Sequence, residues 1–243
     1  MEVRHELNTH AVEDWHWWYS GRRRILHEVL AALPVAQPWR VLDAGCGSGR
    51  NLVELARYGT VTGLEPAAAS LAAARARGVG EVVEGGLDAP VPLPDDSFDV
   101  ATCLDVVEHL DDDRFALREL RRLVRPGGRL VVTVPCYQAL WSQHDVVNRH
   151  RRRYSRRTLL AAARDAGWAP ERTTHFNALL LPAAAAARGL ERLRPPRDPG
   201  ASDLDRTPRA LNAVLERPLR AEARLIGAGR RLPAGLSLLA VLR

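Results

Sequence analysis

The sequence predicts an α/β protein built on a mostly parallel sheet with helices on both faces. Three observations lead there. Short apolar runs alternate with longer helical patterns from Arg40 onward, the signature of βαβ units. A glycine-rich turn, Asp43-Ala44-Gly45-Cys46-Gly47-Ser48-Gly49, joins the first run to a helix. The length of 243 residues suits one such domain with an insertion.

Taken in order, Asp14–Leu33 has the spacing of a helix lying outside the core. Arg40–Ala44 is a first strand, apolar until it breaks into glycines, and Asn51–Arg57 is helical. Val61–Glu65 is a second strand, followed by an alanine-rich helix over Ala67–Arg77 that Gly78 stops. Val79–Glu84 is a third strand and Gly85–Ser97 a loop full of Pro and Asp. Phe98–Leu104 is a fourth strand. Asp111–Val124 is an amphipathic helix whose leading aspartates suit the positive end of a helix dipole, with Pro126-Gly127-Gly128 ending it. Arg129–Val134 is a fifth strand. Beyond it, Ser155–Ala166 is a helix, Trp168–Phe176 a strand, and Ala178–Leu193 an apolar helix carrying one proline. Arg194–Ser202 is a loop, Leu204–Ile226 a helix interrupted near Pro218, and Leu236–Leu242 a buried last strand.

Composition excludes several classes. With 46% hydrophobic and 26% charged residues the chain is not disordered, and no repeat or sustained heptad appears. No apolar stretch reaches the roughly 18 residues of a membrane span. Met1–His10 lacks the apolar core of a signal peptide. Cys46, Cys103 and Cys136 are too scattered for a disulfide framework or a zinc site, so a reduced, cytoplasmic protein without a metal is expected. The net charge is +6 and all 35 basic residues are arginine. Codon bias accounts for that more readily than attraction to nucleic acid, and no nucleic-acid partner is expected.

The glycine turn carries the chemistry. Glycines without Cβ let a ligand approach the backbone, and the first amides of the following helix favour an anionic group. A dinucleotide fingerprint would need glycine at position 50, which is Arg50, so a nicotinamide or flavin cofactor is disfavoured. No Gly-Lys-Ser/Thr follows, which excludes a P-loop. Glu65 ends the second strand eighteen positions after Gly47, where a carboxylate can accept both hydroxyls of a ribose; alone, it would equally read as a solvated strand-end acid.

The succession VLDAGCGSG, LEP, VPLPDDSFD, LDVVEHLDD and RPGG before a strand resembles class I S-adenosylmethionine-dependent methyltransferases of the broad type 11 kind. The likeness is strong from Trp39 to Val134. HWWYSGRRR and HDVVNRHRRRY on the flanks resemble one bacterial subfamily. The resemblance implies a Rossmann-like sheet of seven strands, mostly parallel with the last antiparallel, and S-adenosylmethionine as cofactor. It implies that Asp43, Gly45, Cys46, Gly47 and Gly49 line the methionine and ribose, that Glu65 takes the ribose hydroxyls, and that Pro66 borders the adenine. Gly86-Leu87-Asp88 would flank the adenine edge, with Asp88 or backbone groups meeting its amino group. Asp105 and Val106 would hold the amino group and sulfonium side of the cofactor.

A sulfonium methyl is already activated, so catalysis is chiefly alignment with water excluded, and a hydroxyl acceptor gains from a general base. The segment Trp141–Tyr154 follows the fifth strand, at the end where open α/β sheets bind ligands. It offers His144 as base with Asp145 as orienter, and Trp141, His150, Arg153 and Tyr154 to the acceptor. His109 is a rival base and His150 ranks third. Solvated or structural histidines are the plain alternative. Six arginines between Arg149 and Arg157 suit an anionic acceptor as well as a solvated helix start. Trp15, His16, Trp17, Trp18 and Tyr19 with Arg22, Arg23 and Arg24 form either a lid or a packing face. Positions 15, 18, 19 and 22 share a helix side. As a lid it would bring Tyr19 and Arg24 to the cofactor and Trp18 to the acceptor. Cys46 lacks an adjacent base and reads as a small apolar filler.

The expected layout is one methyltransferase domain over residues 1–243. It comprises an N-terminal helical extension over 1–38, a cofactor-binding core over 39–177, a helical acceptor-shaping insertion over 178–232 and a last strand over 233–243. The apolar run Leu179–Ala187 in that insertion fits core burial better than a hydrophobic acceptor or a membrane surface. The expected activity is methyl transfer to oxygen of a small metabolite or natural-product intermediate, anionic or hydrophobic, by a monomer or homodimer. An RNA methyltransferase and a non-catalytic cofactor-binding protein are the alternatives.

Overall fold

A computed structural model describes residues 9–191 and 208–243. The expected loop Arg194–Ser202, and residues 192–193 and 204–207 of the expected flanking helices, lie outside the described residues. The elements are α1 (Trp17–Ala31), β1 (Trp39–Ala44), α2 (Arg50–Leu55), β2 (Gly59–Glu65), α3 (Ala68–Ala76), β3 (Glu81–Glu84) and β4 (Phe98–Leu104). They continue with α4 (Asp113–Leu123), β5 (Val124–Pro135), α5 (Gln143–Val147), α6 (Arg156–Asp165), β6 (Pro170–Phe176), α7 (Leu181–Glu191), α8 (Arg209–Gly227) and β7 (Ser237–Leu242).

The seven strands form one sheet in the order β3-β2-β1-β4-β5-β7-β6. Its first five strands are parallel, and β7 runs antiparallel to its neighbours. Reciprocal hydrogen bonds between Ala169 and Arg243 close the β6–β7 end in the antiparallel pattern. All seven residues of β4 are buried, as a central parallel strand covered on both faces requires.

Chain contacts divide the protein into two compact units. One comprises Leu33–Val134, Arg156–Thr173 and Leu239–Arg243. Its core combines Val41, Leu42, Val100, Ala101, Leu130 and Val131 of the sheet with Leu117 and Leu120 of α4, all fully buried. α4 starts where the Asp112 side chain accepts the N–H of Phe115, two residues later than expected. It ends at Leu123, before the proline. Val124–Gly128 instead belongs to β5, with a shift of register opposite Phe98 and Val100. Asp99 lies buried inside β4, where its carboxylate accepts the Arg40 N–H at 2.6 Å and Arg125 Nε at 2.5 Å.

The described parts of Met1–Ala32, Pro135–Ser155 and Thr174–Leu238 make the other unit. α1 begins at Trp17, not Asp14, because His16 is extended and its ring nitrogen accepts the Trp18 N–H. Trp15 therefore falls outside the helix whose face it was expected to share. α1 packs on α8: Gly21 lies against Leu219, and Asn212 accepts the Trp17 N–H and donates to the Trp15 carbonyl. Glu216 of α8 accepts from Ser20 and Arg24.

Two expectations about this unit change. α8 is continuous through Pro218. The missing N–H would have served the carbonyl of Val214, a residue on the exposed side of the helix. The run Leu179–Ala187 is not core: no side chain from Ala178 through Leu190 is buried. An unbroken alanine run has no apolar period, so composition did not show which side faces inward.

Candidate functional site

In the sheet-bearing unit, Ala44 pairs with Leu64 on one side and Cys103 on the other, and Glu65 pairs with Glu84. The loops leaving these four strand ends, 45–49, 66–67, 85–88 and 105–106, therefore rise from one edge of the sheet, where α/β folds bind ligands. This brings Asp43, Gly45, Cys46, Gly47, Gly49, Glu65, Pro66, Leu87, Asp88, Asp105 and Val106 to a common end.

The glycine loop turns sharply over the end of β2, with the N–H groups of Gly45 and Cys46 both directed at the Leu64 carbonyl. Gly45 has φ +75°, and a Cβ there would stand 2.5 Å from Val106 Cγ2. Gly47 has φ +57°, and a Cβ there would meet nothing within 4 Å. The loop is thus closed on its Val106 side and open at Gly47. Cys46 fills the gap over Gly63, its Sγ 2.7 Å from where a Cβ would sit. Burial, with the Asp43 and Glu65 carboxylates nearby, pushes its thiol far above the ordinary range, so a thiolate does not form there.

The buried Glu65 carboxylate grips the loop. Oε2 accepts the Gly47 N–H at 2.8 Å and Oε1 the Ala67 N–H at 2.9 Å. A carboxylate oxygen can accept more than one hydrogen bond. Asp43, also buried, accepts Thr102 Oγ1 at 2.6 Å. Asp105 has φ +58°, uncommon without glycine; its N–H donates to the Thr133 carbonyl and its carboxylate accepts Thr133 Oγ1. Arg77, capping α3, donates to the Ser48 carbonyl at 2.7 Å and to its hydroxyl. Asp88 is exposed and its carboxylate folds back over Gly86, whereas Leu87 is buried. Glu108 is buried and His109 partly exposed just beyond.

Thr102, Thr133 and Arg77 were not foreseen. The hydroxyls had a signal, as polar residues inside mostly apolar strands. Arg77 had none, being one arginine among many.

The remaining candidates lie in the other unit, where residues 135–155 form a clasped loop. Its ends meet at Cys136 and Tyr154, and Gln138 Oε1 accepts the Arg153 N–H. At its centre the fully buried Asp145 accepts the Ser142 N–H at 2.8 Å, His150 Nδ1 at 2.8 Å and Arg153 Nε at 2.7 Å. Burial alone would push this carboxyl up; the hydrogen bonds from His150 and Arg153 and the Arg153 charge outweigh it and hold the group far below the usual range. The expected pairing of Asp145 with His144 is not the one formed. Neighbours in α5 point apart, and the His144 ring lies beside Asn148 instead. Because an ionised carboxylate only accepts, His150 carries its proton on Nδ1 when neutral, which makes Nε2 the basic atom. Arg153 is buried with its Nη1 on the Cys136 carbonyl, and Tyr154 is buried, while Trp141 is partly exposed. Trp18 stacks on Phe176, Tyr19 lies under Arg22, and Arg24 is paired with Glu216.

Residues 42–132 match the family model described as a methyltransferase domain. An O-methyltransferase resE of Aspergillus sclerotiorum is 33% identical over 125 residues, covering 48% of this chain and 47% of that protein. A ubiquinone biosynthesis O-methyltransferase of Aeromonas salmonicida is 32% identical over 135 residues, covering 48% of this chain and 56% of that one. The chain thus spans about half the length of the curated relatives it matches. An S-adenosylmethionine-dependent methyltransferase from Mesorhizobium loti superposes with a TM-score of 0.58 at 21% identity, over 90% of this chain and 97% of that one, a likeness of fold.

Proposed function

Through residues 42–132 the chain belongs to the class I S-adenosylmethionine-dependent methyltransferases, and on that premise we propose that it methylates an oxygen of a small-molecule acceptor. The observation that carries this reading is the Glu65 carboxylate clasped to the Gly47 amide, beside a loop with room for a ligand at Gly47. The residues present fit the cofactor: open space at Gly47 and a buried strand-end carboxylate of the kind that accepts ribose hydroxyls. Bound S-adenosylmethionine supplies a methyl group already activated by its sulfonium.

The protein's own work is then binding and positioning. Glu65 accepts the ribose hydroxyls, Asp43, Gly45 and Gly49 hold the loop against the ligand, and Pro66, Leu87 and Asp88 border the base. Asp105 and Val106 hold the amino-acid end. A hydroxyl acceptor loses its proton to a histidine. His150, with Nδ1 held by Asp145, is preferred over His144 and His109 for that role, which is worth about 10²–10⁴-fold in rate. Trp141, Arg153 and Tyr154 share the clasped loop of His150 and are the candidates for acceptor recognition. The names of the O-methyltransferase relatives support oxygen as the target.

Isothermal titration with S-adenosylmethionine tests the premise. Glu65→Ala removes a charged hydrogen-bond acceptor and should weaken binding about 10- to 100-fold. Unchanged uptake, with the fold intact by circular dichroism, refutes the assignment. Transfer of radiolabelled methyl to a fractionated metabolite extract then identifies the acceptor class.

A further inference from the structure

Five of the seven large apolar side chains exposed among the described residues lie in one stretch of one unit: Leu179 (62%), Leu190 (56%), Leu211 (45%), Val214 (52%) and Leu225 (46%). On α8 they are ordered. Leu211, Val214, Pro218, Ala221 and Leu225 follow at spacings of three and four, so they run along one side of the helix. That side is distinct from the buried one, where Leu219, Ala223 and Ile226 pack.

The charges of α8 are sorted too. Its acids turn inward: Glu216 is buried on Ser20 and Arg24, and Glu222 is buried with Oε1 on the N–H groups of Ala178 and Leu179. Its exposed charged side chains, among those described, are Arg217, Arg220 and Arg224, which border the apolar stripe along one flank. Glu222 also ties the exposed Leu179 to the same helix.

We infer that this face of α8, with the adjoining Leu179, docks the protein peripherally on an anionic lipid surface. A helix with an apolar stripe, an arginine border and no exposed acid suits the boundary between headgroups and acyl chains. A second copy is a poorer occupant, since an antiparallel two-fold pairing of this face would set the arginine rows side by side. The stripe covers two heptads and contains a proline, too short for a coiled coil. It carries no aromatic anchor of the kind that dominates protein interfaces. The inference is independent of the proposed methyl transfer, because its readout is binding.

Co-sedimentation of the full chain with vesicles tests it. The protein should pellet with phosphatidylcholine vesicles containing phosphatidylglycerol, remain in the supernatant with phosphatidylcholine alone, and be released by salt. Leu211→Glu, Val214→Glu and Leu225→Glu combined should abolish pelleting. Arg217→Gln and Arg224→Gln should each weaken it about fivefold. These positions are exposed, and an unchanged thermal midpoint verifies that the fold survives. Equal partition onto neutral and anionic vesicles, or undiminished pelleting of the triple variant, overturns the inference. So does failure to pellet with either mixture, which leaves the face to a protein. A dimer in light scattering that the triple variant disperses assigns the face to a second copy and overturns it as well.

Discussion

Gly45 and Gly47 lie two residues apart on one loop, and the structure gives them opposite sensitivities. At Gly45 a methyl group meets Val106 Cγ2 in addition to the strain of φ +75°. Gly45→Ala should therefore cost about 2–4 kcal/mol in denaturant unfolding. Adding Val106→Ala should recover the steric part and leave the backbone part. At Gly47 the space is open and only the positive φ opposes a methyl, so Gly47→Ala should cost about 1–2 kcal/mol. In the proposed site its larger effect should fall on S-adenosylmethionine affinity, because the new Cβ would enter the open space assigned to the ligand. Equal loss of affinity from both substitutions, in proportion to stability, would mean that Gly47 is not a contact surface. The Asp43–Gly49 loop and Glu65 were legible because glycine spacing and a strand-end acid specify backbone geometry directly. The partner of Asp145 was not: adjacency in sequence favoured His144, whereas helical geometry and the turn after α5 bring up His150 and Arg153.

At the scale of elements, the strands were the legible part. Phe98–Leu104 has the predicted bounds because a fully buried parallel strand is a mostly apolar run, here carrying Asp99 and Thr102 inside it, with Ser97 and Asp105 at its ends. Helix ends moved by one to three residues wherever a side chain, such as His16 or Asp112, took the cap. The pairing of α1 with α8 had no local signal, since it depends on Gly21 meeting Leu219 across nearly the whole chain. A Cβ at Gly21 would stand 2.7 Å from Leu219 Cβ, so the helices approach as closely as glycine permits. Alanine in a helix interior ordinarily stabilises by about 0.5–1 kcal/mol over glycine. Here the sign should reverse, with Gly21→Ala lowering stability by about 1–3 kcal/mol through overpacking. Leu219→Ala in the same chain should relieve the contacts with Cδ1 and Cγ while leaving the Cβ contact and its own cavity cost, and a double-mutant cycle in urea measures the coupling. Additive losses would mean the helices do not touch at this pair.

For the whole molecule, buried titratable groups set how stability varies with pH. His16 is buried, and burial holds its ring below the ordinary histidine range. The unfolded chain therefore takes up a proton first. The stability His16 contributes is complete above about pH 6.5 and is lost as pH falls from there through its folded value. Asp99, Glu119, Asp145 and Glu216 are all held low. Burial pushes Asp99, Asp145 and Glu216 up, but the Arg40 N–H and Arg125 at Asp99, His150 and Arg153 at Asp145, and Arg220, Ser20 and Arg24 at Glu216 outweigh it. The Arg122 hydrogen bond dominates at Glu119. Their contribution is present above about pH 4 and is lost as pH falls through their lowered folded values. Glu222 runs the other way: burial raises it, so its destabilising charge grows as pH climbs past the unfolded carboxylate value toward the folded one. Urea midpoints should therefore fall in two stages on acidification, one starting near pH 6.5 and one below about pH 4. His16→Asn keeps an acceptor at the α1 cap without a titrating ring, since asparagine is a favoured N-cap. It should lower the plateau through lost ring packing against Trp17 and Tyr19, erase the upper stage and keep the lower one. If the upper stage survives in this variant, a histidine other than His16 controls the neutral limb.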